Sequence, residues 1–99
     1  FACRWKPTMA IYFVSLDMRS VQHDYGPFYA RLRALDAHQA QSTAWLIESP
    51  LPLQELSDDL RAYLDPGDGL FLIVMTAGTG WAATHAEHDT GLWLKQRRP

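Results

Sequence analysis

The densest group of metal-capable side chains in this sequence is His85, Glu87, His88 and Asp89. His85 and His88 would share one face of a helix, a spacing that brings two imidazoles to one ion. No hydrophobic periodicity accompanies them to hold that geometry, so the segment reads as a solvated tail. His23 and Asp24 follow Asp17 in a polar loop. An imidazole there titrates near neutrality and can orient a water or exchange a proton, while Asp24 is equally suited to cap the helix that follows. Asp17 itself stands directly after a strand, where an aspartate commonly turns or caps the loop. Ser15, Ser42 and Ser49 have no accompanying His motif or G-x-S-x-G, so a serine nucleophile is not supported. Asp58 and Asp59 oppose the leucine stripe of a helix and read as a solvated face. Trp45 and Trp81 offer faces on which bases could stack, although tryptophans in strands ordinarily fill cores or interfaces.

The elements that must position these groups are visible as apolar patterns. Met9–Leu16 (MAIYFVSL) is nearly continuous, as in a strand covered on both faces, and stops at Asp17. Tyr25, Phe28, Tyr29, Leu32 and Leu35 fall on one helical stripe, with Asp24 as N-cap and Pro27 in the first turn, which predicts a helix over about 25–37. Gln39–Ser49 alternates and predicts strand, or two short strands about Ser42, until Pro50 and Pro52 stop it. Leu53, Leu56, Leu60, Tyr63 and Leu64 form a second helical stripe ended by Asp65-Pro66-Gly67. Asp68-Gly69 turns into the apolar strand Leu70–Met75, and Trp81-Ala82-Ala83, after Gly78 and Gly80, predicts a last short strand. The order is β-α-β(β)-α-β-β, an α+β arrangement of two helices on one face of a mainly antiparallel sheet, the ferredoxin-like βαββαβ sandwich with an extra C-terminal strand.

At 99 residues and 11.3 kDa the chain buries one core. Residues 1–8, which begin with Phe1, read as a non-native leader before Met9, residues 9–84 as the domain, and 85–99 as a polar tail. The single cysteine, Cys3, can make no internal disulfide and no thiolate metal set, which fits a reducing, cytoplasmic setting. The longest apolar run, Leu70–Ala77 with one Thr, is far below the ~20 residues that cross a bilayer. Between Met9 and Leu94 four basic side chains stand against eleven acidic ones, a formal charge of −7, which disfavours a grip on nucleic-acid phosphates. A base-stacking RNA-recognition sheet also needs a basic, aromatic third strand, and Ser42–Ser49 does not supply one. Two helices cover only one sheet face, yet two strands are apolar on both, so a homodimer is expected to cover the other face.

Four features together resemble the CRISPR-associated Cas2 proteins and their Cas2-like, SinR-like and VapD-like relatives. These are the strand closing on Asp17, the helix after it, Gln39-Ala40-Gln41-Ser42 before the second hydrophobic strand, and Leu64-Asp65-Pro66-Gly67-Asp68 leading into the last. The resemblance spans roughly Met9–Ala83. It implies a homodimer of ferredoxin-like domains with facing sheets and a C-terminal strand crossing to the partner, which would place Trp81 at the interface. It also implies metal-dependent endonuclease activity in some members, with one aspartate from each subunit flanking a divalent ion, normally Mg2+. Only Asp17 matches that aspartate, as catalytic residue and metal ligand, with His23 and Ser42 as candidate auxiliary residues. Other members act as scaffolds, which matches the alternative of a noncatalytic dimeric module presenting an acidic surface. The acidic body departs from the basic surface typical of Cas2 proteins.

Overall fold

A computed structural model describes residues 9–75, 80–82, 84, 86 and 89–97. The elements run β1 (Ala10–Asp17), α1 (Gly26–Ala34), β2 (His38–Gln41), β3 (Ala44–Ser49), α2 (Leu53–Arg61), β4 (Gly69–Met75) and α3 (Thr90–Arg97). The four strands form one antiparallel sheet in the order β2-β3-β1-β4, which makes the chain α+β with three helices. Leucine-rich stripes and β-branched runs thus fold as their periodicities require.

β1 lies between β3 and β4 and sorts its side chains by parity. Tyr12, Val14 and Leu16 join Trp45 and Ile47 of β3 against Phe28 and Leu32 of α1 and Leu56 and Leu60 of α2. Ile11 and Phe13 face the other way, where Leu46 and Ala40 pack with Leu94 of α3. The apolar run that predicted a strand covered on both faces is therefore covered on both faces within one chain, at least along β1 and β3.

α3 was not expected. It stands where the sequence reads as a polar tail, and it forms because Thr90 and Leu94 are buried against the sheet while Trp93 stacks on His38 at 5.4 Å. Arg97 lies 4.0 Å over the Trp93 ring and 3.4 Å from Glu48 of β3. Four anchors spread over eight residues, two of them polar, carry too little apolar periodicity to announce a helix. The predicted last strand is also corrected: Trp81 and Ala82 are not in a strand, and Ala83 lies outside the described residues. Trp81 instead packs into the second cluster, with its ring beside the Gly91 position of α3.

The helices are shorter than their stripes. α1 ends at Ala34 because Ala37 N–H bonds Leu32 O and Asp36 N–H bonds Arg33 O, each at 3.0 Å, the paired bonds of a Schellman cap. The left-handed residue of that cap is Asp36, at φ 55°, rather than glycine. After α2, Tyr63 and Leu64 are held by i→i+3 bonds to Leu60 O and Arg61 O, so Leu64 stays buried although the α-helix has ended. Tyr25, not Asp24, is the N-cap residue of α1; the Asp24 carboxylate, one residue before the cap, accepts from the N–H of Gly26, the first residue of the helix, at 2.9 Å.

Two stability outcomes follow. Leu60→Ala, at a fully buried site of α2, is expected to cost ~2–5 kcal/mol in urea unfolding, as deletions of buried leucine do. Asp36→Gly is expected to stabilise by about 0.5–1 kcal/mol, because glycine adopts the left-handed cap without Cβ strain; a loss of stability there would show that the Asp36 side chain matters more than the backbone.

Candidate functional site

β1 ends and β4 begins at the same end of the sheet, with Asp17 opposite Gly69. The β1–α1 loop and the Asp65–Asp68 turn meet above that point. Pro66 and Gly67 occupy the centre of the turn, closed by Asp68 N–H to Asp65 O at 2.9 Å and by Gly67 N–H to the Asp65 carboxylate at 3.1 Å. The turn thereby swings the Asp68 carboxylate toward the loop, where it accepts from Arg19 N–H at 2.8 Å, from the Tyr25 hydroxyl at 2.6 Å and from Asp65 N–H at 3.0 Å.

Asp17 is drawn into the same network. Arg19 Nε donates to Asp17 Oδ2 at 2.9 Å and Arg19 Nη1 to Gly67 O at 3.1 Å, so one guanidinium ties the strand end to the turn. A Cβ at Gly69 would lie 3.0 Å from Arg19 Nη2 and 3.1 Å from Asp17 Cβ, so the absence of a side chain there lets the arginine cross. The pair is open to solvent, the two side chains being 61% and 66% exposed.

His23 stands beside this network without reaching Asp17. Its Nε2 lies 3.0 Å from Tyr63 O, which can only accept, so that nitrogen carries the proton. Its ring meets Tyr25 edge-on at 4.7 Å, and Nδ1 is 4.0 Å from Asp65. Ser42 is exposed in the β2–β3 turn at the same end of the sheet, where Thr43 O accepts from Leu16 N–H, and the Gln39 amide donates to Ser42 O at 3.4 Å. The structure thus brings Asp17, His23 and Ser42 to one end of the sheet, where the side chains of Asp17 and His23 have structural partners and Ser42 is held through its backbone carbonyl. His85, Glu87 and His88 lie outside the described residues; Asp89 has φ 55° and offers its carbonyl to Trp93 N–H at the start of α3.

The electrostatics centre on Asp68. Partial desolvation pushes its carboxyl up, but the Tyr25 hydroxyl and the backbone N–H groups of Arg19, Asp65 and Ser20 outweigh it and hold it below the ordinary range. The partner moves oppositely: desolvation, the bond to Asp68 and the nearby charges of Asp68 and Asp65 raise the Tyr25 hydroxyl, against the Ser20 backbone.

Sequence reasoning missed Asp68 and Tyr25 as a pair, and it read Asp59 as solvated when Asp59 takes a bidentate pair from Arg31 of α1, at 2.9 and 2.5 Å. The available signal was that Arg31 lies off the apolar stripe of α1 and Asp59 off that of α2. Among the concavities bordered by described residues, two lie at the Asp65–Asp68 turn and at α3, respectively. An open one of about 530 Å³ is bordered by Ser57, Arg61, Asp65 and Asp68. Another, of about 260 Å³, lies under α3 among Phe13, Leu46, Met75, Trp81 and Leu94 and offers few polar groups to orient a ligand.

Among the described residues, the end of the sheet that carries Asp17 fits a divalent ion poorly. Asp17 already neutralises a guanidinium, and both oxygens of Asp68 accept protein donors, so the two carboxylates nearest the strand end present no shared oxygen cage. No protein-family model matches the chain, and no solved structure matches it.

Because Asp68 titrates lower in the folded chain than in the unfolded one, its stabilisation is present above the ordinary carboxylate range and is lost as pH falls through the folded value. Thermal unfolding is expected to show Tm falling as pH drops through and below the ordinary carboxylate range, with Asp68→Asn lowering Tm at pH 7 and flattening that fall. Equal pH slopes for the two proteins would refute the assignment.

Proposed function

We propose that this chain is a noncatalytic, homodimeric interaction module on a ferredoxin-like βαββαβ domain of Cas2-like type, with its acidic body available to a basic protein partner. The observation that carries this reading is the exposure of Phe71 and Ile73, 59% and 50%, side by side on one face of β4. Large apolar side chains grouped on an exposed strand mark a contact surface. The ferredoxin-like description is supported by two β-α-β passages that set β1 and β3 at the sheet centre with α1 and α2 on one face. The noncatalytic part is supported by Asp17, whose carboxylate serves the Arg19 crosslink. Among the described residues no helix is long and apolar enough to cross a membrane.

A second reading, metal-dependent cleavage of nucleic acid through Asp17, draws on one observation. The Asp17–Arg19 pair is so exposed that it contributes little stability, and a stronger ligand for either partner could part them. It would require Asp17 of two copies at one ion, since the described residues of a single chain do not assemble the ligands.

Light scattering at micromolar concentration is expected to give twice the chain mass. The parent protein is expected to show no Mg2+- or Mn2+-dependent cleavage of single- or double-stranded RNA or DNA at low salt, and Asp17→Asn to leave mass and fold unchanged. Divalent-dependent cleavage that disappears in Asp17→Asn would overturn the noncatalytic reading; a monomer at every concentration would overturn the dimer.

A further inference from the structure

The two edges of the sheet are built differently. β2 has four residues, its pairing to β3 shifts register between Gln39 and Gln41, and α3 packs against it through His38, which hydrogen-bonds Thr90 at 3.0 Å and stacks on Trp93. Short length, a bulge and a covering helix are the usual protections of a sheet edge. Over residues 69–74 β4 has none of them among the described residues. It is seven residues long, pairs with β1 in unbroken register from Met75–Ile11 to Gly69–Asp17, and reads GLFLIVM, with no charge and no proline. Phe71 and Ile73 are exposed on its α3-side face and Val74, 41% exposed, on the other.

Resting on the homodimer reading, we infer that a second copy pairs with this edge: β4 of each copy lies antiparallel to the other about a twofold axis at Leu72, joining the sheets into one of eight strands. In that register Phe71 of one copy faces Ile73 of the other, and Ile73 faces Phe71, so the most exposed apolar side chains of β4 cover one another on the same side of the sheet. Leu72 faces Leu72, and Leu70 faces Val74. The exposed parts of Phe71, Ile73 and Val74 from two copies amount to on the order of 500 Å². That is under half of the ~1,200 Å² of a stable interface. Face-to-face stacking of these side chains alone is therefore too small, whereas strand pairing also buries the backbone edge. Charge points to the same occupant: a basic peptide meets no acidic group on β4, while a neutral strand can meet its own copy without like charges in register.

The pairing has a consequence for Asp17. Because Asp17 is opposite Gly69, at the end of β4, the twofold puts the two aspartates at opposite ends of the joined sheet, on the order of 25 Å apart at ordinary strand dimensions. Two carboxylates at that separation cannot share an ion, so this dimer is incompatible with a twofold catalytic site at Asp17.

The test uses a Cys3→Ser background, so that the native thiol does not compete. Phe71→Cys and Ile73→Cys variants are prepared separately and mixed. The mixture is expected to form an intermolecular disulfide under mild oxidation, because directly opposed residues lie about 4.5–5.5 Å apart at Cα. Each variant alone is expected not to cross-link, since like positions are diagonal and about 7–8 Å apart. Ile73→Lys, at an exposed site, is expected to reduce the light-scattering mass to that of one chain with an unchanged circular dichroism spectrum. Raising salt from low to physiological ionic strength is expected to tighten the parent dimer, because it screens two acidic bodies. A dimeric parent without the cross-link in the mixture would place the interface elsewhere and overturn this inference while leaving the homodimer reading intact. A monomeric parent at all concentrations would overturn both.

Discussion

Burial of β1 on both faces is the constraint on which the rest of the structure depends. Alternate residues of one strand feed two separate clusters, so Tyr12, Val14 and Leu16 fix α1 and α2 while Ile11 and Phe13 require cover on the opposite side. Each fully buried side chain of this kind contributes roughly 1.5–3 kcal/mol, more than any exposed ion pair in the molecule. A one-residue slip of β1 against β3 or β4 would exchange the two sets, which is why the register is specified so firmly from Ala10 to Asp17. The position of Asp17 at the strand end, and of Gly69 beside it, is a by-product of that register.

The polar end of the sheet follows from the same frame. Once β1 and β4 are in register, the loop that leaves β1 and the turn that enters β4 are forced together, and their backbone N–H groups need acceptors. Asp68 meets two such demands, from Arg19 and Asp65, and takes the Tyr25 hydroxyl as well, while Arg19 links the loop back to Asp17 and to Gly67 O. His23 answers Tyr63 O on the other side. A cluster of titratable groups at a strand end can therefore arise from backbone satisfaction alone, without selection for catalysis.

Much of the fold was legible because its signals are local. The stripe Phe28–Leu32, the stripe Leu56–Leu60 and the runs Ala10–Leu16 and Leu70–Met75 each carry the period of the element they form. For Gln39–Ser49 the sequence left one strand or two short ones about Ser42 open, and the structure shows two, β2 and β3. α3 was not legible, because it is held by Leu94, by stacking of Trp93 on His38 and by Glu48 with Arg97, contacts separated by about 45–55 residues in the chain that leave no periodic trace. For the site, Asp17 at a strand end was visible from sequence, but its engagement by Arg19 was not: the guanidinium that pairs with it passes beside Gly69 of the neighbouring strand, a juxtaposition set by the β1–β4 register and not by local sequence.

The unexpected helix also changes the reason for expecting a partner. Without α3, the whole second face of the sheet would demand cover, and a face-to-face dimer would be the natural solution. With α3 seated over β2, β3 and half of β1, the unmet demand contracts to β4, the strand farthest from it, and changes character from a face to an edge with its adjoining side chains. An edge is satisfied by another strand rather than by a stacked sheet. A neutral, uninterrupted strand is complementary to its own copy, so in the proposed dimer the same asymmetry that protects β2 would direct association to β4 and would carry the two Asp17 residues apart instead of together.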